Sequence, residues 1–243
     1  MKKTHEAITG KGTALSKYRQ VMIGDNSLGS LLYYEFCQLF TFFPGAVGMV
    51  LRKLFWPKMF GRCGKGTVFG YGIVVRQPKK IVLGKSVVVS EYCILDGRQG
   101  SEGQSISVGD EVILSNNVML SCKDGSIVIG NNVGINSQSI IQSTNGNRVS
   151  INDDCVIGQR CLLIGGGNYD ISSKASLIRT SPIINDGGVT LDKNVWLGAH
   201  VSVLGGVTMG EGSVAGAGSV VSRSIEKYSV CMGIPAKVVK KRN

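Results

Sequence analysis

The sequence predicts an all-β solenoid, a left-handed parallel β-helix of about six turns with an N-terminal helical arm and a short C-terminal helix. Two observations predict it. An aliphatic residue or Ala opens every sixth position at Leu191, Leu197, Val203, Met209, Ala215 and Val221. A repeat of six fits neither the 3.6 period of a helix nor the alternation of a simple strand; it fits hexapeptides that each supply one strand and one turn. Traced backward, the openers fall in sets of three: Leu83, Val89, Leu95; Val108, Leu114, Leu120; Ile129, Ile135, Ile141; Ile151, Ile157, Leu163. The spacings between successive sets are 13, 9, 10, 28 and 6 residues, so every excess follows the third member of a set. A three-sided coil with its loops at one corner produces that pattern, and random scatter does not.

Residues 1–65 form a basic and apolar arm. Residues 1–27 are polar and patternless, a loose start. Leu31 to Leu51 is 21 residues with one charge, Glu35, but Gln38, Thr41 and Pro44 interrupt it. The segment reads as two short helices bent near Pro44. Three roles are open for it: a cap on the solenoid's end, an interfacial membrane contact flanked by Arg52, Lys53, Lys58 and Arg62, or a true span, which the interruptions disfavour. No signal peptide is evident.

Residues 66–222 form the solenoid, with Phe69 and Val75 marking a partial turn before Leu83. The 28-residue spacing makes 165–186 a large loop, and long structureless loops in compact domains are usually functional. Packing on a neighbouring subunit is the plainer role for it. In residues 223–243, Pro235 stands at the first position of a short helix, Ala236 to Arg242, that closes the last turn.

Composition narrows the classes of function. Gly 34 against Pro 5, with 43% hydrophobic residues, is a solenoid balance and not that of a disordered chain. The net charge of +11 is terminal: ten Lys/Arg face three acids in 1–65 and six face one in 223–243, while 66–222 holds eleven against twelve. Basic ends suit an anionic lipid surface or a phosphorylated ligand, or serve only solubility. No basic-aromatic groove points to nucleic acid. Seven cysteines without metal spacing, three of them (Cys93, Cys155 and Cys161) at the small fifth position of a hexapeptide, read as reduced core thiols of a cytoplasmic protein.

From about residue 81 onward the chain resembles the hexapeptide-repeat acyltransferases, in particular their sugar and polysaccharide O-acetyltransferase branch. The resemblance rests on the hexads, on Val-Trp-Leu-Gly-Ala at 195–199, on Val-Ala-Gly-Ala-Gly-Ser-Val-Val at 214–221 and on Gly-Ile-Pro-Ala-Lys at 233–237. It implies a homotrimer with acetyl-CoA as co-substrate in a groove between adjacent solenoids, and no metal. Trp196, Gly198, Ala199, Ala215 and Ala217 would line the pantetheine path, where small residues leave the backbone open to an amide-bearing ligand. Gly233, Pro235, Ala236 and Lys237 would meet the adenine end, with Lys237, Lys240 and Lys241 near its phosphates. The acceptor implied is a sugar, a nucleotide-sugar or a lipid-linked glycan.

One position departs from the family. Its base is a His near the start of the large loop, in a pattern like Gly-Gly-Asn-His, but here the run is Gly166-Gly167-Asn168-Tyr169-Asp170. A phenol with a pKa near ~10 is a poor base at neutral pH. The chain has two histidines, His5 in the polar start and His200 at a hexapeptide corner. His200 is either a substitute base or a contact to acceptor or cofactor, and Asp170 is a weak proton acceptor or an orienting group. Two functions follow: an acyltransferase with a replaced base, or a catalytically degraded relative that binds CoA as an assembly partner. A zinc-dependent solenoid enzyme would need more histidines than two.

Overall fold

The computed structural model describes residues 11–98, 103–175 and 177–242. They form a parallel β-solenoid of triangular section. Its three faces carry seven, nine and seven strands. Face A runs from Arg62–Cys63 to Val207–Met209, face B from Val68–Phe69 to Ala236–Lys241, and face C from Val74–Arg76 to Val220–Val221. Every pairing between coils is parallel and in register, so each hexad opener stacks on the opener one coil away: Leu114 on Ile135, then Ile157, Leu197 and Ala215. These openers are fully buried and build the core. The small corner positions are buried too, including Cys93, Cys155 and Cys161.

The solenoid has seven full coils where about six are expected. Cys63, Phe69 and Val75 open a complete first coil, paired with the next one on all three faces. Its Phe69 is stacked by Phe60 and packed by a tilted Trp56 from the arm, which is how the core is closed at this end. The irregular insertions all fall between a face C strand and the following face A strand, as the spacing predicts.

Among the described residues the arm contains three α-helices: α1 (Ala14–Tyr18), α2 (Leu28–Gln38) and α3 (Gly45–Phe55). Residues 11–27 are thus less loose than the sequence suggests. Thr13 caps α1 by accepting the Ser16 amide, and a π-helical turn Arg19–Ile23 follows. Pro44 is the N-cap residue of α3, so the bend falls where the sequence puts it. No described helix is long and apolar enough to cross a membrane, which removes the spanning reading of Leu31 to Leu51. Arg52 is not part of an exposed basic flank. It is buried, and its guanidinium donates to the carbonyls of Phe40, Phe43 and Phe69, tying α3 to the first coil. A buried cation is tolerable only when its donors are met in this way.

The predicted C-terminal helix does not form. Ala236–Lys241 is a strand, antiparallel to Ser229–Gly233 across a turn holding a cis Ile234–Pro235 bond. Seven residues are too few for a stable isolated helix. Val238 and Val239 favour extended backbone, and the strand covers the last open edge of face B.

Candidate functional site

The corner between faces B and C is built by stacking tight turns. Register aligns Gly198 with Gly216, Ala199 with Ala217 and His200 with Gly218. Backbone crowding explains the glycine. A Cβ on Gly198 would lie 2.7 Å from the Ala217 nitrogen, where no side chain fits. Most amides here are already used. Gly198 donates to Ala215 O at 2.8 Å, His200 to Gln159 O at 2.8 Å and Gly218 to Ala199 O at 2.8 Å. The amides of Ala199 and Ala217 have no acceptor among the described residues. Two donors one coil apart, roughly 4.8 Å, suit an extended ligand that carries its own amides.

The residues expected on the cofactor path gather at this end of the solenoid. Trp196 is half exposed on the outer surface of face B, between Val156 and Val214. Gly233, Pro235 and Ala236 form the turn of the terminal hairpin, and Gly233 donates to the Ser219 hydroxyl at 3.2 Å. Lys237 pairs with Met232 beside that turn and is exposed. Lys241 is held by Glu226 at 2.7 Å, and Lys240 is exposed like Lys237. Ala215 differs from the others. Its side chain is in the core and its carbonyl already accepts from Gly198, so Ala217 is the alanine of this coil with a free group.

His200 is exposed in the left-handed region (φ 60°), and the next coil has Gly218, which carries no side chain, at the aligned position. The imidazole is therefore open to an incoming group. His5 lies outside the described residues.

The large loop leaves a different corner, between faces C and A. The chain thus does not bring Tyr169 and Asp170 beside His200. The strand Leu162–Gly165 separates the two corners, about 13 Å at ~3.3 Å per residue. Closeness in sequence between 165–186 and 196–200 is not closeness in space. The loop's two arms pair as a short hairpin, with Tyr169 bridging Ile183 and Asp170 donating its amide to Pro182 O at 2.9 Å. Tyr169 is partly exposed. Ser172 donates to Asp170 through its hydroxyl and its amide, which holds the carboxyl below the usual carboxylate range. That makes Asp170 an anchor for a donor and a weak base.

Two residues at the loop's base carry structural roles the sequence reading did not assign. Both carboxylate oxygens of Asp186 accept the Gly166 amide at 3.0 Å. The same carboxylate accepts the Gly188 amide at 3.0 Å and the Asn168 side chain at 3.2 Å. Asn147 Oδ1 accepts the amides of Asp186 and Gly187 at 3.1 Å each. Gly205 of the next coil leaves room for the carboxylate, and a Cβ there would overlap it. The signal was present as Asp-Gly-Gly at 186–188, opposite Gly166 and Gly205. Only the fold shows that these residues meet.

Coils, Gly-Ala corner and clamped loop together define a hexapeptide-repeat β-solenoid. No protein-family model matches the chain. It is similar to WbbJ of Escherichia coli (strain K12), provisionally named a lipopolysaccharide biosynthesis O-acetyl transferase. The identity is 34% over 124 residues, 49% of this chain and 62% of that protein. It is also similar to the galactoside O-acetyltransferase of the same organism, 44% identical over 55 residues, 23% of this chain and 27% of that one. The chain thus spans less than two thirds of the length of these relatives. Among solved structures, AntD, an N-acyltransferase from Bacillus cereus in complex with dTDP and 3-hydroxybutyryl-CoA, superposes with a TM-score of 0.51. That pair is 22% identical, with 76% of this chain and 84% of the other covered, and the likeness is one of fold. The chain shares the hexapeptide-repeat solenoid fold with these proteins, and its named relatives are acetyltransferases. A catalytically degraded binding partner finds no support among them.

Proposed function

We propose that the protein is a CoA-dependent acyltransferase. It moves an acetyl or other acyl group to a hydroxyl of a sugar, nucleotide-sugar or lipid-linked glycan, and works as a cytoplasmic homotrimer. The observation that carries the reading is the pair of free amides at Ala199 and Ala217, on a corner that ends at Gly233 and Lys237. Seven unpaired thiols fit a reducing compartment.

The outer faces support the trimer. On face B, Val68, Val88, Ile113, Val156, Trp196 and Val214 follow one another outward through the coils, broken only by Gly134. Face C presents Val74, Ile94, Met119, Ile140 and Leu162 in the same way. Face A presents Ser150, Thr190 and Thr208 in its last three coils. Two apolar faces meeting at the Gly-Ala corner suit association there. A neighbouring copy then supplies the loop that one chain holds a strand's length away from His200.

In this reading His200 takes the proton of the acceptor hydroxyl as its oxygen attacks the thioester carbonyl. The new C–O bond forms, the C–S bond breaks, and the proton passes to the departing thiolate. Tyr169 and Asp170 position the acceptor by hydrogen bonds. The test is titration calorimetry with acetyl-CoA together with a thiol-release assay on sugar acceptors. His200→Ala is expected to lower kcat by ~10²–10⁴-fold with acetyl-CoA affinity unchanged. Absence of acetyl-CoA binding by the unsubstituted protein overturns the reading, and unchanged turnover in His200→Ala removes His200 as the base.

A further inference from the structure

We propose that the outer surface of the α2–α3 helix pair docks on a bilayer containing anionic phospholipid. A surface helix normally carries one apolar stripe, and these helices carry two. The inner stripe closes the solenoid. Tyr34 and Cys37 are buried there, and the Tyr34 hydroxyl donates to Val75 O at 2.7 Å. The outer stripe faces away from the solenoid; within it Phe36 packs edge-on against Phe40 and Phe55, which joins the two helices. Leu28, Leu32, Phe36 and Leu39 recur along one side of α2 and its C-terminal cap, all exposed, Leu39 at 72%. Val47, Val50 and Leu54 repeat the pattern on α3, and Phe42 in the turn between is 71% exposed. Single exposed apolar residues need no explanation, but a contiguous set at helical spacing marks a binding surface.

Charge identifies the occupant. Exposed Lys53 lies in the last turn of α3, and Lys58, Arg62, Lys65 and Lys79, also exposed, follow it or lie on the coils it caps. Residues 11–98 hold thirteen Lys/Arg against four Asp/Glu. Glu35, the single acid on the two helices, is taken by the Tyr18 hydroxyl at 2.5 Å. An apolar stripe beside ammonium groups matches the boundary between acyl chains and phosphate headgroups. A second copy of this chain would bring like charge to the same place. Between α2 and the Pro78–Lys80 turn lies an apolar recess of about 300 Å³ whose lining includes Tyr33, Met59, Lys58 and Lys79. Lys58 and Lys79 of the same basic set stand at its mouth, with Lys79 Nζ donating to Lys58 O at 3.0 Å. Helices of this length cannot cross the bilayer, so the contact is interfacial. None of this depends on the acyl-transfer reading.

Flotation with vesicles tests it. The full chain is expected to float with phosphatidylcholine–phosphatidylglycerol vesicles at least ~10-fold more than with phosphatidylcholine alone, and raised salt should cancel the difference. Leu32→Glu with Leu54→Glu is expected to abolish flotation at unchanged melting temperature and oligomer size. If that pair lowers the melting temperature, Phe42→Ser, in the turn outside both helices, is expected to reduce flotation in its place. Lys53→Glu with Lys58→Glu should reduce binding to the anionic vesicles only. No flotation of the unsubstituted chain overturns the proposal. So does unchanged flotation of the apolar variants, or a change in their oligomer size alone, which would assign the surface to a second copy.

Discussion

The two corners that flank face C carry the two halves of the proposed site, and they are built in opposite ways. At the B–C corner each coil repeats the last, and small residues let the backbone itself act as ligand. Position comes from register, so no side chain is needed to hold Ala199 or Ala217 in place. At the C–A corner the chain leaves the solenoid for more than twenty residues, and one carboxylate with one amide fixes its return. The regular corner spreads its positioning over many parallel strand pairs. The irregular one concentrates it in Asp186 and Asn147, and so is far easier to break.

The largest expected effect after loss of the base is therefore at the loop. Asp186→Ala removes the acceptor for Gly166, Gly188 and Asn168. Turnover is expected to fall by ~10²-fold, because displacement of positioning groups by about an ångström costs that much. Acetyl-CoA affinity, a property of the other corner, should stay the same by calorimetry. A parallel loss of affinity would show that the two corners are not independent.

The converse change acts on the regular corner. His200 and Gly218 have positive φ, and Ala199 and Ala217 precede them in turns of the type that accepts proline at this place. Ala199→Pro and Ala217→Pro delete one free amide each without removing a side chain. Each is expected to weaken acetyl-CoA binding by roughly 10-fold, the worth of about one hydrogen bond. kcat at saturation and melting temperature should change little. Unchanged affinity in both variants would remove the backbone from the donor site.

The same contrast explains what could be read in the sequence. The openers were legible because a buried triangular core accepts only aliphatic residues at a fixed period, and Leu191 to Val221 keep that period without interruption. The loop's corner was legible because insertions are tolerated only where they leave the stacking intact. Its geometry was not, since Asn147 and Asp186 are 39 residues apart and meet only through the coil. His200 shows the same limit, being near the loop in sequence and not in space. Neighbours along a solenoid chain occupy different corners, and a strand's length separates them. The terminal helix failed because local pattern cannot see the open edge of face B that Ala236–Lys241 pairs with.

The smallest expected effects separate the corners by pH. Cys161 sits beneath the regular corner, and its thiol donates to Gly198 O at 3.1 Å. Burial pushes this thiol above its ordinary value of 9.0. Its contribution is thus fully present below pH 9 and is lost as the pH rises further, because only the unfolded chain forms the thiolate freely. Asp170 on the loop is the opposite case. Ser172 holds its carboxyl below 3.8, so its contribution is present above that value and is lost as the pH falls through it. The melting temperature of Cys161→Ala should lie below that of the unsubstituted chain by an amount corresponding to about 1 kcal/mol at neutral pH. That gap should be constant up to pH 9 and narrow above it. For Asp170→Asn the difference should be smaller, constant above pH 4 and vanishing below it. Melting curves across both ranges would then assign the alkaline limb of stability to the corner and part of the acid limb to the loop. A gap for Cys161→Ala that stays constant above pH 9 would mean that the thiol beneath Gly198 titrates alike in the folded and unfolded chain.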